Sequence, residues 1–170
     1  GAINSFGEIF NACILSGAND ADSTLYLKAG VILSNIIRKI KSPEYKSGLL
    51  YNMAFGSFNN KFKPNETEYD WLSRDKNEVK KYVDDALCGF IASAGLFNGL
   101  AQLMMDIFKP ENLNRIPKEL PVLLIGGAMD PVGKYGTGLK KLKERLIKTG
   151  VTNTQVRLYD NARHECLNEI

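Results

Sequence analysis

Two periods of apolar residues alternate along this chain. At 11–17, "NACILSG" is a compact apolar run closed by Ser-Gly, the pattern of a buried strand. The next stretch changes period: Leu25, Ala29, Ile32, Ile36 and Ile40 step by three or four, which predicts an amphipathic helix. Asp20, Asp22 and Ser23 are its N-cap candidates, and Pro43 stands just past its other end. Residues 44–75 keep neither period. They mix aromatics with Asn, Gly and Pro, and predict loops pinned by Phe55, Phe58, Phe62 and Trp71. Helical spacing returns from "DKNEVKKYV" onward, and Leu96, Leu100, Leu103, Met104 and Ile107 trace an apolar face. Such a stripe is more often core than ligand site, although Met-rich faces also line pliable apolar pockets.

From "IPKELPVLLIGG" the chain changes character. A strand at 121–125 is followed by a loop and by a helix with Leu139, Leu142, Leu146 and Ile147 on one side. Gly150 sits where a helix-ending residue belongs. "TQVRLY" at 154–159 alternates as a strand, and "DNARHECLNEI" closes the chain. Strand, helix, strand at this spacing predicts a parallel α/β unit. The expected organisation is a strand, a long helical insertion and a βαβ tail, with no repeat or low-complexity tract.

Composition narrows the function classes. With 170 residues, 44% of them hydrophobic and 24% charged, the chain has the make-up of an ordinary globular protein. Its formal charge of +3 is mild, and basic residues alternate with acids as in "KKLKERLIK", so no nucleic-acid partner is expected. Three widely spaced cysteines, Cys13, Cys88 and Cys166, form no CxxC pair and stand beside a single histidine. That pattern gives no metal site and no cofactor, and fits reduced thiols in a cytoplasmic protein. No apolar run approaches a membrane span, and no signal-peptide pattern opens the sequence.

The candidate chemistry lies in the tail. Open parallel sheets gather ligands outside the carboxyl ends of their strands, and Asp130 and His164 each follow a predicted strand. Pro131 biases Asp130 toward extended backbone, and Gly126 and Gly127 allow a sharp turn before it. A carboxylate against an imidazole fixes the ring's tautomer and stabilises the imidazolium that forms when the ring takes a proton from a nucleophile. On these two residues alone, a turn aspartate and a surface histidine are the reading to prefer, with the catalytic pair left open.

The wider sequence resembles the α/β-hydrolase fold, in the branch that contains monoacylglycerol lipases, lysophospholipases and the serine aminopeptidase family. "LPVLLIGGAMDPVGKYGTGLKKLKERL" and "VRLYDNARHECLNE" carry the resemblance, and "FGSFNNKFKP" and "YDWLSRD" look like cap segments of bacterial members. The likeness runs from about residue 8 to 170. It implies that Asp130 is the acid and His164 the base of a catalytic triad. It further implies a core segment at 1–17, a helical cap at 18–118 and a second core segment at 119–170. The substrates implied are lipid-like carboxylic esters, with a transient membrane-surface contact through the cap. Nothing in these residues supports peptidase activity.

The nucleophile is missing from this pattern. The fold places Ser before Asp and His, on a G-x-S-x-G elbow. "FGSFN" around Ser57 lacks the flanking glycines and falls inside the insertion. "INSFG" around Ser5 has Ile3 where the first Gly should be, and too few residues follow it to build a helix before the next strand. By the resemblance, "INSFGEIFNACILSG" is the end of that helix running into the strand. The oxyanion hole and a helix after His164 would also lie outside these residues. The expectation is therefore a partial hydrolase fold, inactive by itself, that self-associates through an incomplete sheet; a non-catalytic remnant acting as an interaction module is the alternative. Cys166 is read as a packing residue, and Arg74 and Asp75 as a local ion pair or helix cap.

Overall fold

The structure, a computed structural model, describes residues 1–20 and 24–170. Three strands form one parallel sheet in the order β1 (Cys13–Ser16), β2 (Val122–Gly127), β3 (Thr154–Tyr159). β2 starts one residue later than its apolar run and continues through both glycines. Cys13 pairs with Val122 and Val122 with Thr154, so the strands start level and leave the sheet together at their carboxyl ends. Helix α1 (Ala2–Phe6) leads into β1 through a short 3₁₀ turn.

Alternation along the strands makes two unequal faces. Cys13, Leu15, Val122, Leu124, Val156 and Leu158 face a helix we number α7 (Thr137–Lys148), which crosses from β2 back to β3. Leu139, Leu142 and Leu146 of α7 are buried there with Leu113, Ile116 and Leu120 from the approach to β2. The apolar spacing read from the sequence holds at those three leucines, while Ile147 is partly exposed at the edge of the contact. α7 ends where Gly150 adopts a left-handed φ of 94°, which other residues avoid. The second face carries Ile14, Leu123 and Ile125 beside Gln155 and Arg157. Ile14 is 65% exposed, so β1 is an edge strand half-buried on one side and open on the other, a correction to the buried strand its apolar run predicts.

Between β1 and β2 run α2 (Thr24–Ile40), α3 (Gly48–Phe55), α4 (Lys76–Asp84), α5 (Ala94–Ile107) and α6 (Pro110–Leu113). Of the expected N-caps for α2, Asp22 and Ser23 lie outside the described residues. Asp20 is buried in an ion pair with Arg145 of α7, with Nε 2.7 Å from Oδ1. The loops expected at 44–75 include a true helix, α3, whose cap is Ser47 accepting from the Leu50 amide at 3.3 Å. Its aromatic and small residues carry no 3.6-residue stripe, which is why the pattern misses it.

The larger correction concerns orientation. Leu25, Ile32, Ile36 and Ile40 of α2 and Leu96, Leu100, Leu103 and Met104 of α5 point outward instead of into a core. α2 and α5 pack through a polar seam. Asn98 is buried and donates to the Ser34 hydroxyl at 2.9 Å, while its Oδ1 accepts from Arg38 at 2.9 Å and from Gln102. A buried amide left without partners costs about 1–3 kcal/mol, so this network outranks the apolar stripes in setting how the helices face. Among the described residues no helix is long and apolar enough to cross a membrane.

These two environments separate in mutants. Leu139→Ala removes a fully buried side chain and is expected to cost about 2–5 kcal/mol by chemical denaturation. Ile32→Ser, on the outward face of α2, is expected to change stability by no more than about 0.5 kcal/mol.

Candidate active site

Parallel pairing gathers three loops at one end of the sheet: 17–20 after β1, 128–136 after β2 and 160–165 after β3. Both polar residues singled out in the sequence are found here. Asp130 is fully buried, and its Oδ2 lies 3.1 Å from Nδ1 of His164. The imidazole keeps a quarter of its surface open, with 26% of the side chain exposed. One partner is thus fixed and dry, while the ring has a free side from which to act.

Asp130 is set by its own turn. Its Oδ1 accepts from the Val132 amide at 2.8 Å, across Pro131, and its carbonyl accepts from the Tyr135 amide at 2.7 Å. Lys134, Tyr135 and Gly136 follow with φ of 50°, 56° and 83°. Left-handed backbone at the two non-glycine residues costs on the order of 1–3 kcal/mol each. The turn therefore holds only because the carboxylate, the Tyr135 amide and the start of α7 all favour it.

His164 is placed by close approach. Gly127 at the end of β2 lies so near the His loop that a Cβ there would stand 2.0 Å from the Ala162 carbonyl and 2.1 Å from that of Arg163. The Met129 amide donates to the Ala162 carbonyl at 2.9 Å, tying the two loops together. From the other side Gly17, with φ of 62°, supports the ring: a Cβ on it would meet Cε1 of His164 at 2.8 Å and Nδ1 at 3.1 Å. The second glycine of "IGG" and the glycine of "LSG" are thus needed for room beside His164 as much as for turning.

Trp71 is a further neighbour that local sequence reading missed. Its ring centroid lies 5.4 Å from that of His164, and its carbonyl accepts from the His164 amide at 3.3 Å. It also packs edge-on against Phe58 at 4.9 Å. No spacing rule links residues 93 apart, so the one clue is that the chain's single tryptophan lies in an aromatic run.

The remaining candidates fall elsewhere. Ser5 lies on the exposed side of α1, and Ser57 opens a 3₁₀ turn. Among the described residues the side-chain partner of the imidazole is Asp130. Cys166 is partly buried, and burial first, then the charges of Asp130 and Glu169, push its thiol above the ordinary range, which disfavours the reactive thiolate. Asp75 is the cap of α4, accepting from the Asn77 amide at 2.8 Å. Arg74 corrects the expectation of a local pair, because it bonds Glu169, 95 residues away, at 2.7 Å.

The packing against Gly17 has a direct test. Gly17→Ala is expected to cost about 1–3 kcal/mol and to displace the ring resonances of His164, the chain's only histidine. Gly30→Ala, inside α2 with open space around it, is expected to stabilise by about 0.5–1 kcal/mol without moving them. NMR of the imidazole and denaturant melts read both.

Comparison with known proteins identifies the fold and the family. The profile of the family described as "Serine aminopeptidase, S33" matches residues 10–170. A highly thermostable carboxyl esterase from Bacillus coagulans, solved with glycerol, superposes with a TM-score of 0.84 at 22% identity, over 98% of this chain and 53% of that one. A lipase in an open form gives a TM-score of 0.83 at 24% identity, over 98% and 54%. A monoacylglycerol lipase from Paleococcus ferrophilus gives 0.60 at 19% identity, over 98% and 55%. The chain thus spans about half the length of these structures. No curated protein sequence matches it significantly. Three parallel strands flanked by helices form part of an α/β-hydrolase fold, and the chain belongs to the S33 serine aminopeptidase family of hydrolases.

Proposed function

We propose that this chain supplies the acid and base of a serine hydrolase that cleaves carboxylic esters of lipid-like substrates, with the nucleophile provided from outside these residues. The observation that carries the reading is the 3.1 Å contact between a wholly buried Asp130 and the part-exposed ring of His164, at the carboxyl end of a parallel sheet. In this reading Asp130 accepts the Nδ1 proton, which leaves Nε2 as the basic nitrogen. Nε2 takes the proton of a seryl hydroxyl as its oxygen attacks the ester carbonyl. The imidazolium then returns that proton to the departing alcohol, and an acyl-enzyme remains. Water, deprotonated by the same nitrogen, releases the acid.

The substrate class rests on two supports. The solved relatives include a carboxyl esterase, a lipase and a monoacylglycerol lipase. Residues 18–118, read as a cap between core segments 1–17 and 119–170, turn the apolar stripes of α2 and α5 outward. Those stripes suit the wall of an acyl-chain pocket, or a transient contact with a membrane surface. The free edge of β1 and the exposed Ile14 favour self-association of the isolated chain.

Two measurements check this reading. The 170-residue chain is expected to take no fluorophosphonate label and to sediment as oligomers. A chain extended to include an upstream G-x-S-x-G is expected to label at that serine, and His164→Gln to slow labelling by about 10³-fold or more. Label mapped to Ser5 or Ser57, or a rate indifferent to His164, sinks the proposal.

A further inference from the structure

The loop that carries His164 is held by a distant segment whose bonds the chemistry above does not use. Residues 70–74, "DWLSR", lie between β1 and β2, yet they run along the histidine loop and bond to it repeatedly. The His164 amide donates to the Trp71 carbonyl and the Glu165 amide to the Leu72 carbonyl, at 3.3 and 2.8 Å. The Arg163 guanidinium donates to the carbonyl of Asp70 and, at 3.0 Å, to that of Ser73, while its plane lies 4.3 Å over the Phe62 ring. The Ser73 hydroxyl, in a nearly sealed site, donates to the Asn168 carbonyl at 2.7 Å.

Glu169 joins both sides. Its carboxylate is 6% exposed and accepts three N–H groups: the Arg163 amide at 2.7 Å, the Arg74 amide at 3.2 Å and the Arg74 Nε at 2.7 Å. A dry carboxylate bonded to the backbone of both segments fixes their separation, since loosening either strands a buried charge. The segment so fixed is the one whose Trp71 ring lies against the imidazole.

We propose that residues 70–74, locked by the Arg74–Glu169 pair, are the positioning element that holds His164 in register with Asp130. The inference rests on the reading of His164 as the base, and it gives Arg74, Glu169 and Trp71 roles exerted through that residue. A general base displaced by about 1 Å loses on the order of 10²-fold in rate, and these bonds add to the close packing of Gly17 and Gly127 in holding the loop.

The chain's single tryptophan and single histidine provide the test. Protonated imidazole quenches a neighbouring indole, so Trp71 fluorescence falls on acidification, and His164→Gln identifies the responsible group. In Glu169→Gln and Arg74→Met, hydrogen-exchange protection of the His164 and Glu165 amides is expected to fall about tenfold, with protection of Leu124 and Ile125 in β2 unchanged. The acid quench of Trp71 shrinks in the same variants, and Arg74→Lys, which keeps the charge, recovers part of both signals. Unchanged protection and quench overturn the proposal, and so does an equal loss in β2, which marks the pair as general support for the fold. Asp130→Asn serves as the separate arm: it alters the acid quench and leaves amide protection at 164–165 in place. If Asp130→Asn changes nothing, the acid–base reading fails while the Glu169 variants still decide the clamp.

Discussion

β2 hydrogen-bonds along both edges, and the pairing is parallel on each side. That constraint decides the rest. A parallel neighbour must be reached by a crossover, so the chain has to travel the length of the sheet twice, once through the long helical segment and once through α7. Parallel direction also sends all three strand ends the same way. Gly17, Asp130 and His164, far apart in sequence, therefore arrive at one rim. Burial of Val122, Leu124, Ile125 and the two glycines of β2 keeps water from competing for those backbone bonds.

At that rim, precision comes from exclusion as well as attraction. The Asp130–His164 contact is a single hydrogen bond, worth little if either partner wanders. Its geometry is preserved by two glycines that leave no room for a side chain and by a tryptophan ring against the imidazole. The left-handed turn after Asp130 adds backbone strain, which is compensated by the bonds that the aspartate makes within the turn.

Much of this was legible in the sequence, for identifiable reasons. The strands at 13–16, 122–127 and 154–159 and the helix bearing Leu139, Leu142 and Leu146 follow from local pattern, because each element's own apolar run or stripe marks the face it buries, whatever the distance to its partner. Asp130 and His164 were legible as strand-end polar residues. The helices between β1 and β2 were readable in position but not in orientation, since the period of Leu25, Ile32 and Ile36 gives a stripe without saying what it faces. Arg74, Glu169 and Trp71 were beyond reach of any spacing rule. Their partners lie 93–95 residues away, and their contacts exist only once β3 has been laid beside β2.

The amide of Asn98 gives the paired helices a property that an oily seam would lack. Leucine against leucine tolerates sliding by a fraction of a turn, because dispersion forces are nearly indifferent to angle. The bonds that one buried side chain donates to Ser34 and accepts from Arg38 are not indifferent. They key α2 and α5 like a dowel, and fix the angle at which the two rods present their greasy outer surface.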